Sequence, residues 1–325
     1  MRSVSSNNGE GGTERASAAT RNRPRLALGM PVAHSIYGPG EQAGIVDLAR
    51  AADDAGVDTL VVSDHVIMGE RLDRYPFGTF AFPYGSPWLE PLTTLAVIAG
   101  ATSRVRLATG ILIAGLRRAP LLAKTAATLD VLSRGRLELG VGTGWQPEEY
   151  ETMGLDFANR AQILDDTIAA ARALWAPGPA AFSSPTISFE KIWCDPKPAQ
   201  PGGPKVLFAG PLTRRNLRRI TELGDGWIPI MGESLQGVAE GVARIRDAWR
   251  AAGRDVSALR VRHTLPLVRG ADGRLDLDAT LAGAPLLAES GATEVSVPVA
   301  AFVRDPAAVP SWVADLGRRW EALWA

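Results

Sequence analysis

The chain alternates short apolar segments of β type with segments whose apolar residues recur at helical spacing, and this alternation constrains its fold most. The strand candidates are Arg25–Met30, Asp58–Ser63, Arg104–Leu112, Arg136–Gly142, Lys205–Ala209, Gly226–Ile230, Leu259–Val268 and Glu294–Val299. Each is followed by at least one helix candidate. The strands are mostly apolar on both faces, as parallel strands covered by helices are. We therefore predict an α/β fold in which eight βα units close into a (β/α)8 barrel.

An open, doubly wound sheet is the alternative arrangement of the same elements. The first strand candidate is not followed by a GxGxxG sequence, the usual phosphate-binding signature of that fold. Three helix candidates also end at a glycine, at Gly56, Gly224 and Gly291, and each glycine is followed by a short polar segment and then by a strand candidate. Glycine takes the left-handed cap of a helix, and this repeated pattern favours parallel βα units and hence the barrel.

Three segments depart from the alternation. Residues 1–23 are rich in Ser, Asn, Gly and Arg and are interpreted as a disordered tail ahead of a single domain over 24–325. The segment 66–89, the aromatic loop, leaves the carboxyl end of a strand and is predicted to be a pocket wall or lid, a packed loop, or a dimer contact. The proline-rich segment 177–204, with a hairpin arm over Thr186–Trp193, is predicted to be a surface excursion.

Composition excludes several classes of protein. The 35 Lys and Arg residues balance 35 Asp and Glu residues, which argues against a nucleic-acid binder and a polybasic membrane-surface protein. The single cysteine, Cys194, rules out an intrachain disulfide, and three histidines are too few for a barrel metallohydrolase. No apolar run reaches the ~18 residues of a membrane span. Residues 1–23 contain no secretory apolar region, so a cytoplasmic location is expected.

The second strand candidate ends in an Asp–His pair, Asp64 and His65. Catalytic residues of a barrel lie at the carboxyl ends of strands, and an imidazole exchanges protons near neutral pH. We predict that His65 is the catalytic acid or base, with a structural histidine that caps the strand as the alternative. Asp64 is expected to orient backbone groups in the same site. His263 is expected in the core, and His34 is a weaker pocket candidate.

Two glycine-rich turns follow strand candidates at the same end of the predicted barrel. Gly140–Trp145 reads GVGTGW, and Phe208–Thr213 reads FAGPLT. The second turn leads into a helix that begins with Arg214 and Arg215. Glycine lets a backbone approach a ligand, and a helix N-terminus binds anions. A phosphorylated cofactor is therefore predicted, held by a hydroxyl and two guanidinium groups.

Four stretches resemble the luciferase-like flavin and deazaflavin oxidoreductases, and in particular their branch that depends on coenzyme F420, an 8-hydroxy-5-deazaflavin. They are VSDHV at 62–66, LATGILI at 107–113, AKTAATLDVLSRGRLELGVGTGWQPEEYETMG at 123–154 and PKPAQPGGPKVLFAGPLTRRNLRRITELGDGWIP at 196–229. The similarity covers about residues 25–300. Its most specific part is TLDVLSRGRLELGVGTGW, whereas the Asp–His pair alone is not specific.

The resemblance implies a (β/α)8 barrel with inserted loops, whose cofactor lies at the carboxyl face with its ring near strands two to four. His65 would face the ring and the substrate, and a non-prolyl cis peptide would support the ring at Gly110–Ile111. The remaining cofactor contacts would come from Asp64, Thr143, Gly144 and Trp145 around the ring and from Gly210, Pro211, Leu212 and Thr213 at the phosphate.

The function expected from this resemblance is hydride transfer between F420 and a small organic substrate, with His65 as the proton donor or acceptor. A homodimer is expected as well. Two alternatives stay open. The same site could hold reduced FMN, which activates oxygen and makes the protein a monooxygenase, or the barrel could bind a flavin without catalysis.

Two positions differ from the sugar-phosphate dehydrogenases of this family. Those enzymes carry Glu directly after the GTG turn, where this chain has Trp145, and Trp four residues after the Asp–His pair, where it has Gly69. Their substrate and proton-transfer scheme are therefore not transferred, and Trp145 predicts a more apolar pocket. Glu148, Glu149 and Arg160 flank the short helix after Trp145, where a structural Glu149–Arg160 ion pair that braces the site is expected, with a catalytic role as the alternative.

Overall fold

Eight parallel strands close into a barrel in the computed structural model, which describes residues 23–31, 36–38 and 40–325. The barrel strands are β1 (Arg25–Gly29), β2 (Thr59–Val62), β3 (Arg106–Leu112), β4 (Leu137–Val141), β7 (Lys205–Ala209), β8 (Gly226–Ile228), β9 (Arg260–Thr264) and β10 (Glu294–Pro298). Two further strands, β5 (Ala180–Ser183) and β6 (Ser188–Ile192), form a separate antiparallel hairpin. Around the barrel the strands follow one another in the order β1-β10-β9-β8-β7-β4-β3-β2. The predicted (β/α)8 barrel is confirmed.

Helices cover the outside of the barrel. They are α1 (Gly44–Asp54), α2 (Pro91–Ala101), α3 (Ala119–Leu132), α4 (Pro147–Thr152), α5 (Arg160–Trp175), α6 (Arg214–Glu222), α7 (Leu235–Ala251), α8 (Leu277–Leu281), α9 (Ala284–Glu289), α10 (Val299–Phe302) and α11 (Val309–Trp324). Their inward faces pack on the strands and form the main apolar core. None of the helices in the described ranges has the length and hydrophobicity that crossing a bilayer requires.

Two predicted elements differ from the observed ones by several residues, and in both cases a proline lies at the difference. One is divided into two helices, and the other ends early. The helix predicted over Asp276–Ser290 is divided into α8 and α9, because Pro285 lacks the N–H and clashes with the preceding turn. The strand predicted over Leu259–Val268 ends at Thr264, and Pro266 follows, which cannot donate to a strand ladder. Neither change alters the order of the barrel strands.

The segments that interrupt the alternation take different structures. The aromatic loop contains one short 3-10 helix, Leu72–Arg74, between β2 and α2. The hairpin arm predicted over Thr186–Trp193 corresponds to β6, which pairs with β5. The predicted tail 1–23 lies outside the described residues except for Arg23, which donates to Glu321 at 2.8 Å.

A cluster of buried charges occupies the amino-terminal end of the barrel. Glu138, which is fully buried, accepts from Arg25 at 2.9 Å, from Arg106 at 2.7 Å and from Arg262 at 3.1 Å. Glu294, also buried, pairs with Arg25 at 2.8 Å and with Arg262. These five residues come from five strands. The end of the barrel opposite the glycine-rich turns is therefore closed by ion pairs that fix the strands relative to one another.

These ion pairs predict a loss of stability in acid. Burial raises the pKa of Glu138, but the guanidinium groups of Arg25, Arg262 and Arg106 outweigh it and lower the pKa to about 2. A carboxylate whose pKa falls on folding stabilises the native state above its unfolded pKa of ~4.3. That contribution is lost as the pH falls from ~4.3 through the folded value of about 2. Urea unfolding at several pH values measures it, and an unchanged free energy of unfolding at pH ~3 would contradict the prediction.

Candidate active site

His65 lies at the carboxyl end of the barrel, shortly after β2, with only 9% of its surface exposed. Three aromatic rings contact its edges or face, those of Trp88, Phe80 and Trp145, at centroid distances of 4.8, 5.6 and 6.0 Å. Its Nδ1 lies 3.3 Å from Oε2 of Glu149. The two atoms are misaligned for a hydrogen bond, and both are buried without another hydrogen-bond partner among the described residues. This leaves a histidine and a carboxylate in close contact inside an aromatic shell.

Glu149 belongs to α4 and faces the aromatic loop. Its Oε1 accepts a hydrogen bond from the backbone N–H of Val66 at 3.0 Å, and its side chain is fully buried. The predicted Glu149–Arg160 ion pair is wrong. Arg160 instead folds back over the ring of Phe157, 4.0 Å from its centroid, and donates to the Phe157 carbonyl at 3.0 Å. Arg160 lies on the first turn of α5, so its guanidinium reaches the preceding turn, which contains Phe157, more easily than it reaches the buried carboxylate of Glu149 on α4.

Gln146 is a site residue that sequence reasoning missed. It is fully buried, and its Oε1 accepts from the backbone N–H of Gly69 at 3.0 Å while its Nε2 donates to Sδ of Met68 at 3.1 Å. A Cβ on Gly69 would lie 2.8 Å from Cγ of Glu148, so the loop must carry glycine there to approach α4 this closely. The sequence feature that could have identified Gln146 is its position, since it is a polar residue directly after the GTGW turn and at the start of a helix.

Asp64 links the end of β2 to the segment after β3. It is buried, and its Oδ2 accepts from the backbone N–H of Ile113 at 2.9 Å and from Arg117 at 2.6 Å. Arg117 also donates to Glu90 at 2.7 Å, at the start of α2. The carboxylate is therefore saturated by protein donors and holds the backbone around His65.

The barrel mouth is built from closely approaching backbone. The Gly110–Ile111 peptide is cis, as the family resemblance implies. A Cβ on Gly110 would lie 2.3 Å from Cγ1 of Val61, and one on Gly142 would lie 2.8 Å from Cδ1 of Ile111. The contact at Gly110 requires glycine, and at Gly142 a side chain would fit only if the end of the Ile111 side chain moved. They bring the end of β3 against the end of β2 on one side and against the GTG turn on the other.

The GTG turn lies beside this mouth. Thr143 is half-buried, and its carbonyl accepts from the Tyr150 hydroxyl at 2.7 Å. Gly144 has φ +67°, in the left-handed region, and packs against Ile113. Trp145 then turns into the aromatic shell around His65. The structure therefore brings Thr143, Gly144 and Trp145 close to the Asp64–His65 segment.

The aromatic cluster covers His65. It consists of the rings of Tyr75, Phe77, Phe80, Phe82 and Trp88 from the aromatic loop, together with Trp145. Trp145 contacts Phe80 at 5.1 Å and Tyr75 at 5.3 Å, mostly with tilted or edge-to-face geometry. Such pairs stabilise each other by ~0.5–1.5 kcal/mol beyond the area they bury. The aromatic loop thus packs over His65 and covers it on the solvent side.

The turn after β7 lies next to the GTG turn, because β4 and β7 are neighbours and Val141 pairs with Phe208. Gly210 has φ +108°, and Thr213 caps α6 by accepting from the Asn216 N–H at 3.2 Å. Pro211 is exposed and Leu212 is half-buried against the core.

The prediction of two guanidinium groups at this turn is wrong for one of them. Arg215 donates to Asp165 at 2.7 Å and to Gln162 at 3.0 Å, because its position on α6 faces α5. Arg214 is exposed and makes no ion pair with the described residues. The groups of the turn that stay free of an ion-pair partner among the described residues are therefore the N-terminus of α6 and the guanidinium of Arg214, the two features that favour an anion.

The family model for luciferase-like monooxygenases matches residues 26–315 of this chain. The chain belongs to the luciferase-like monooxygenase family. It is accordingly a luciferase-like oxidoreductase of the flavin- or deazaflavin-dependent type, a class for which F420 or FMN is the typical cofactor.

Known proteins similar to this family member include an uncharacterised protein, an F420-dependent dehydrogenase and a monooxygenase. An uncharacterised protein of Mycobacterium tuberculosis is 35% identical over 211 residues, 64% of this chain and 74% of that protein. The F420-dependent glucose-6-phosphate dehydrogenase of Nocardia farcinica is 28% identical over 276 residues, 80% of this chain and 74% of that enzyme. The crystal structure of monooxygenase RslO1 from Streptomyces bottropensis superposes with a TM-score of 0.76 at 19% identity, over 93% of this chain and 100% of that one, which shows the shared fold.

The remaining candidates of this luciferase-like chain lie outside the site or outside the described residues. His263 is buried in β9, and its Nδ1 lies 2.6 Å from the Thr264 carbonyl oxygen. Burial lowers the pKa of His263, as expected for a core histidine. Cys194 is a buried free thiol in the proline-rich segment. His34 falls outside the described residues, among which no group of three or more potential metal ligands is found.

Proposed function

We propose that this protein is an F420-dependent oxidoreductase that transfers a hydride between the deazaflavin and a small organic substrate, with His65 exchanging the matching proton. The observation that carries the proposal is the contact of His65 with Glu149 at 3.3 Å, beneath the aromatic cluster at the carboxyl end of the barrel. The similarity to an F420-dependent enzyme over 80% of the chain supports this cofactor. A homodimer stays a prediction, which sedimentation velocity on the purified protein would test.

The described residues fit a phosphorylated flavin-type cofactor at both of its ends. The phosphate would be held by Gly210–Thr213 and Arg214, where a left-handed glycine opens the turn and a helix N-terminus and an unpaired guanidinium follow. The ring would lie at the barrel mouth, beside the cis peptide Gly110–Ile111. The buried Nδ1 of His65 and Oε2 of Glu149 face each other at 3.3 Å without another hydrogen-bond partner among the described residues, so they form an unsatisfied polar pair beside the mouth.

When bound, the deazaflavin supplies the hydride chemistry. His65 holds the proton that accompanies the hydride. Because its Nδ1 faces the Glu149 carboxylate, its Nε2 is the atom that exchanges the proton with the substrate. Glu149 keeps the ring in this orientation and also holds the start of the aromatic loop through Val66. The aromatic cluster excludes water from the barrel mouth.

The cofactor assignment is tested by fluorescence titration of the apo-protein with F420 and with FMN at equal ionic strength. We expect F420 to bind with a micromolar or smaller Kd and FMN to bind at least about tenfold more weakly, ~1.4 kcal/mol. Arg214→Ala should weaken F420 binding by about threefold to tenfold through the lost phosphate contact. Arg250→Ala, which removes an exposed guanidinium of α7, is the matched control.

Preferential binding of FMN would overturn this proposal. It would favour the monooxygenase, which oxygen uptake with reduced FMN would then test. Binding of neither cofactor would contradict the cofactor site as a whole, including Gly210–Thr213 and His65. Binding without turnover of any donor would favour the non-catalytic barrel.

A further inference from the structure

We propose that the substrate is a flat, uncharged aromatic compound that carries a hydrogen-bond-accepting oxygen, bound among the rings of the aromatic cluster with its oxygen at the indole N–H of Trp88. This inference rests on the proposed function, because it concerns the same site. It goes further in naming the substrate class, which neither the family nor the cofactor determines. Three observations carry it: the surface that surrounds His65, the pairing of the nearby charges, and a buried donor without an acceptor.

The first observation is that access to His65 is bounded by aromatic rings. The rings of Phe80, Trp88 and Trp145 contact the imidazole directly and leave 9% of His65 exposed. A substrate that reaches the imidazole must separate some of these ring pairs. A flat aromatic molecule replaces the lost contacts with equivalent stacked or edge-to-face contacts, whereas a sugar or an aliphatic chain does not.

The second observation is that every cationic group of the aromatic loop already faces a carboxylate. Arg71 pairs with Asp73 at 2.7 Å, and Arg74 lies 3.7 Å from Glu148. Outside the loop, Arg117 is held by Asp64 as described above. A phosphate or carboxylate on the substrate would have to break one of these pairs or lie beside the buried carboxylate of Glu149 on α4. The charges therefore disfavour an anionic substrate.

The third observation is the indole N–H of Trp88, which is buried without a hydrogen-bond partner among the described residues. Its ring lies 4.8 Å from His65 and 5.1 Å from Phe82, so the indole belongs to the wall of the site. Trp320 and Trp324 on α11 also have buried indole N–H groups without partners, but they lie near Arg23, which precedes β1 at the opposite end of the barrel. A buried donor is satisfied by a carbonyl or hydroxyl oxygen, and a hydrocarbon cannot do this.

The test is isothermal titration calorimetry with four probes of similar size on the protein loaded with oxidised F420. They are 2-acetylnaphthalene, 2-ethylnaphthalene, the fully saturated analogue 2-acetyldecalin and the anion 2-naphthoate. We expect 2-acetylnaphthalene to bind at least about tenfold more tightly than 2-acetyldecalin and than 2-naphthoate. Equal or tighter binding of either of those two probes would overturn the substrate class.

The variant Trp88→Phe keeps an aromatic ring and removes only the indole N–H. It should weaken binding of 2-acetylnaphthalene by about threefold to tenfold and leave that of 2-ethylnaphthalene within about twofold. Trp324→Phe is the matched control, because it removes another unpartnered buried indole N–H far from the site and should change neither. Equal effects of Trp88→Phe on both probes would overturn the assigned hydrogen bond.

Titration of F420 into the cofactor-free form of the wild-type protein and of each variant separates the two proposals. If F420 binds and none of the probes does, the substrate class is wrong and the proposed function stands. If F420 does not bind to the wild-type protein, the proposed function itself fails, whatever the probes do. Folding of each variant is checked by its thermal unfolding midpoint, so that a loss of binding is not confused with a loss of structure.

Discussion

Replacing His65 by alanine is expected to lower kcat by about 10²–10⁴-fold while changing the Kd of F420 by less than about tenfold. The imidazole is buried at the carboxyl end of the barrel with its Nδ1 facing Glu149, so the variant loses the group proposed to exchange the proton. The turn proposed to hold the phosphate, Gly210–Thr213, follows a different strand, so the substitution should leave it unchanged. Single-turnover absorbance of the cofactor gives the rate, and a fluorescence titration gives the affinity.

Two further variants make this result specific. His65→Gln keeps a polar side chain in the aromatic shell, and it should lose activity to a similar extent because an amide does not exchange a proton near neutral pH. Glu149→Gln can still accept from the Val66 N–H but no longer places a carboxylate beside Nδ1, so it should lower kcat less than His65→Ala does. Turnover of His65→Ala at the wild-type rate would show that His65 is not the proton donor.

Replacing Glu138 by alanine is expected to lower the free energy of unfolding by about 3–5 kcal/mol. Glu138 is fully buried and pairs with Arg25, Arg106 and Arg262, so its removal leaves Arg106 without an ion-pair partner among the described residues and deprives the other two of one carboxylate. Urea unfolding followed by tryptophan fluorescence measures the change. The effect on F420 affinity should be small, because the cluster lies at the amino-terminal end of the barrel.

The matched control for Glu138 is an ion pair at the surface. Asp47 pairs with Arg50 at 2.7 Å on α1, but the carboxylate side chain is 74% exposed. Water and salt screen such a pair, so Asp47→Ala should change the free energy of unfolding by less than ~1 kcal/mol. A loss for Glu138→Ala no larger than that for Asp47→Ala would show that the buried cluster is not a determinant of stability.

The fold could be predicted from the sequence because its signals are local. Apolar residues at strand or helical spacing decide which face of an element is buried, and glycines at helix ends such as Gly56 and Gly291 mark where a strand follows. Parallel strands then place all their following segments at one end of the barrel. The position of His65 and of both glycine-rich turns at that end follows from this arrangement, which needs no long-range contact.

The family motifs added what local spacing does not contain. The cis peptide at Gly110–Ile111 has no signal in apolar spacing, and only the resemblance of LATGILI to the family indicated it. The difference at Trp145 likewise indicated a more apolar pocket, and in the structure this side chain joins the aromatic cluster.

Only the tertiary structure decided which partners the polar side chains take. Glu149 contacts His65 and Val66 instead of Arg160, and Arg215 contacts Asp165 instead of remaining free for an anion. The buried ion pairs of Glu138 and the unpartnered N–H of Trp88 also escaped sequence reasoning. The physical reason is the same in each case. A long polar side chain reaches several partners, and the choice among them depends on how helices and loops distant in sequence pack together.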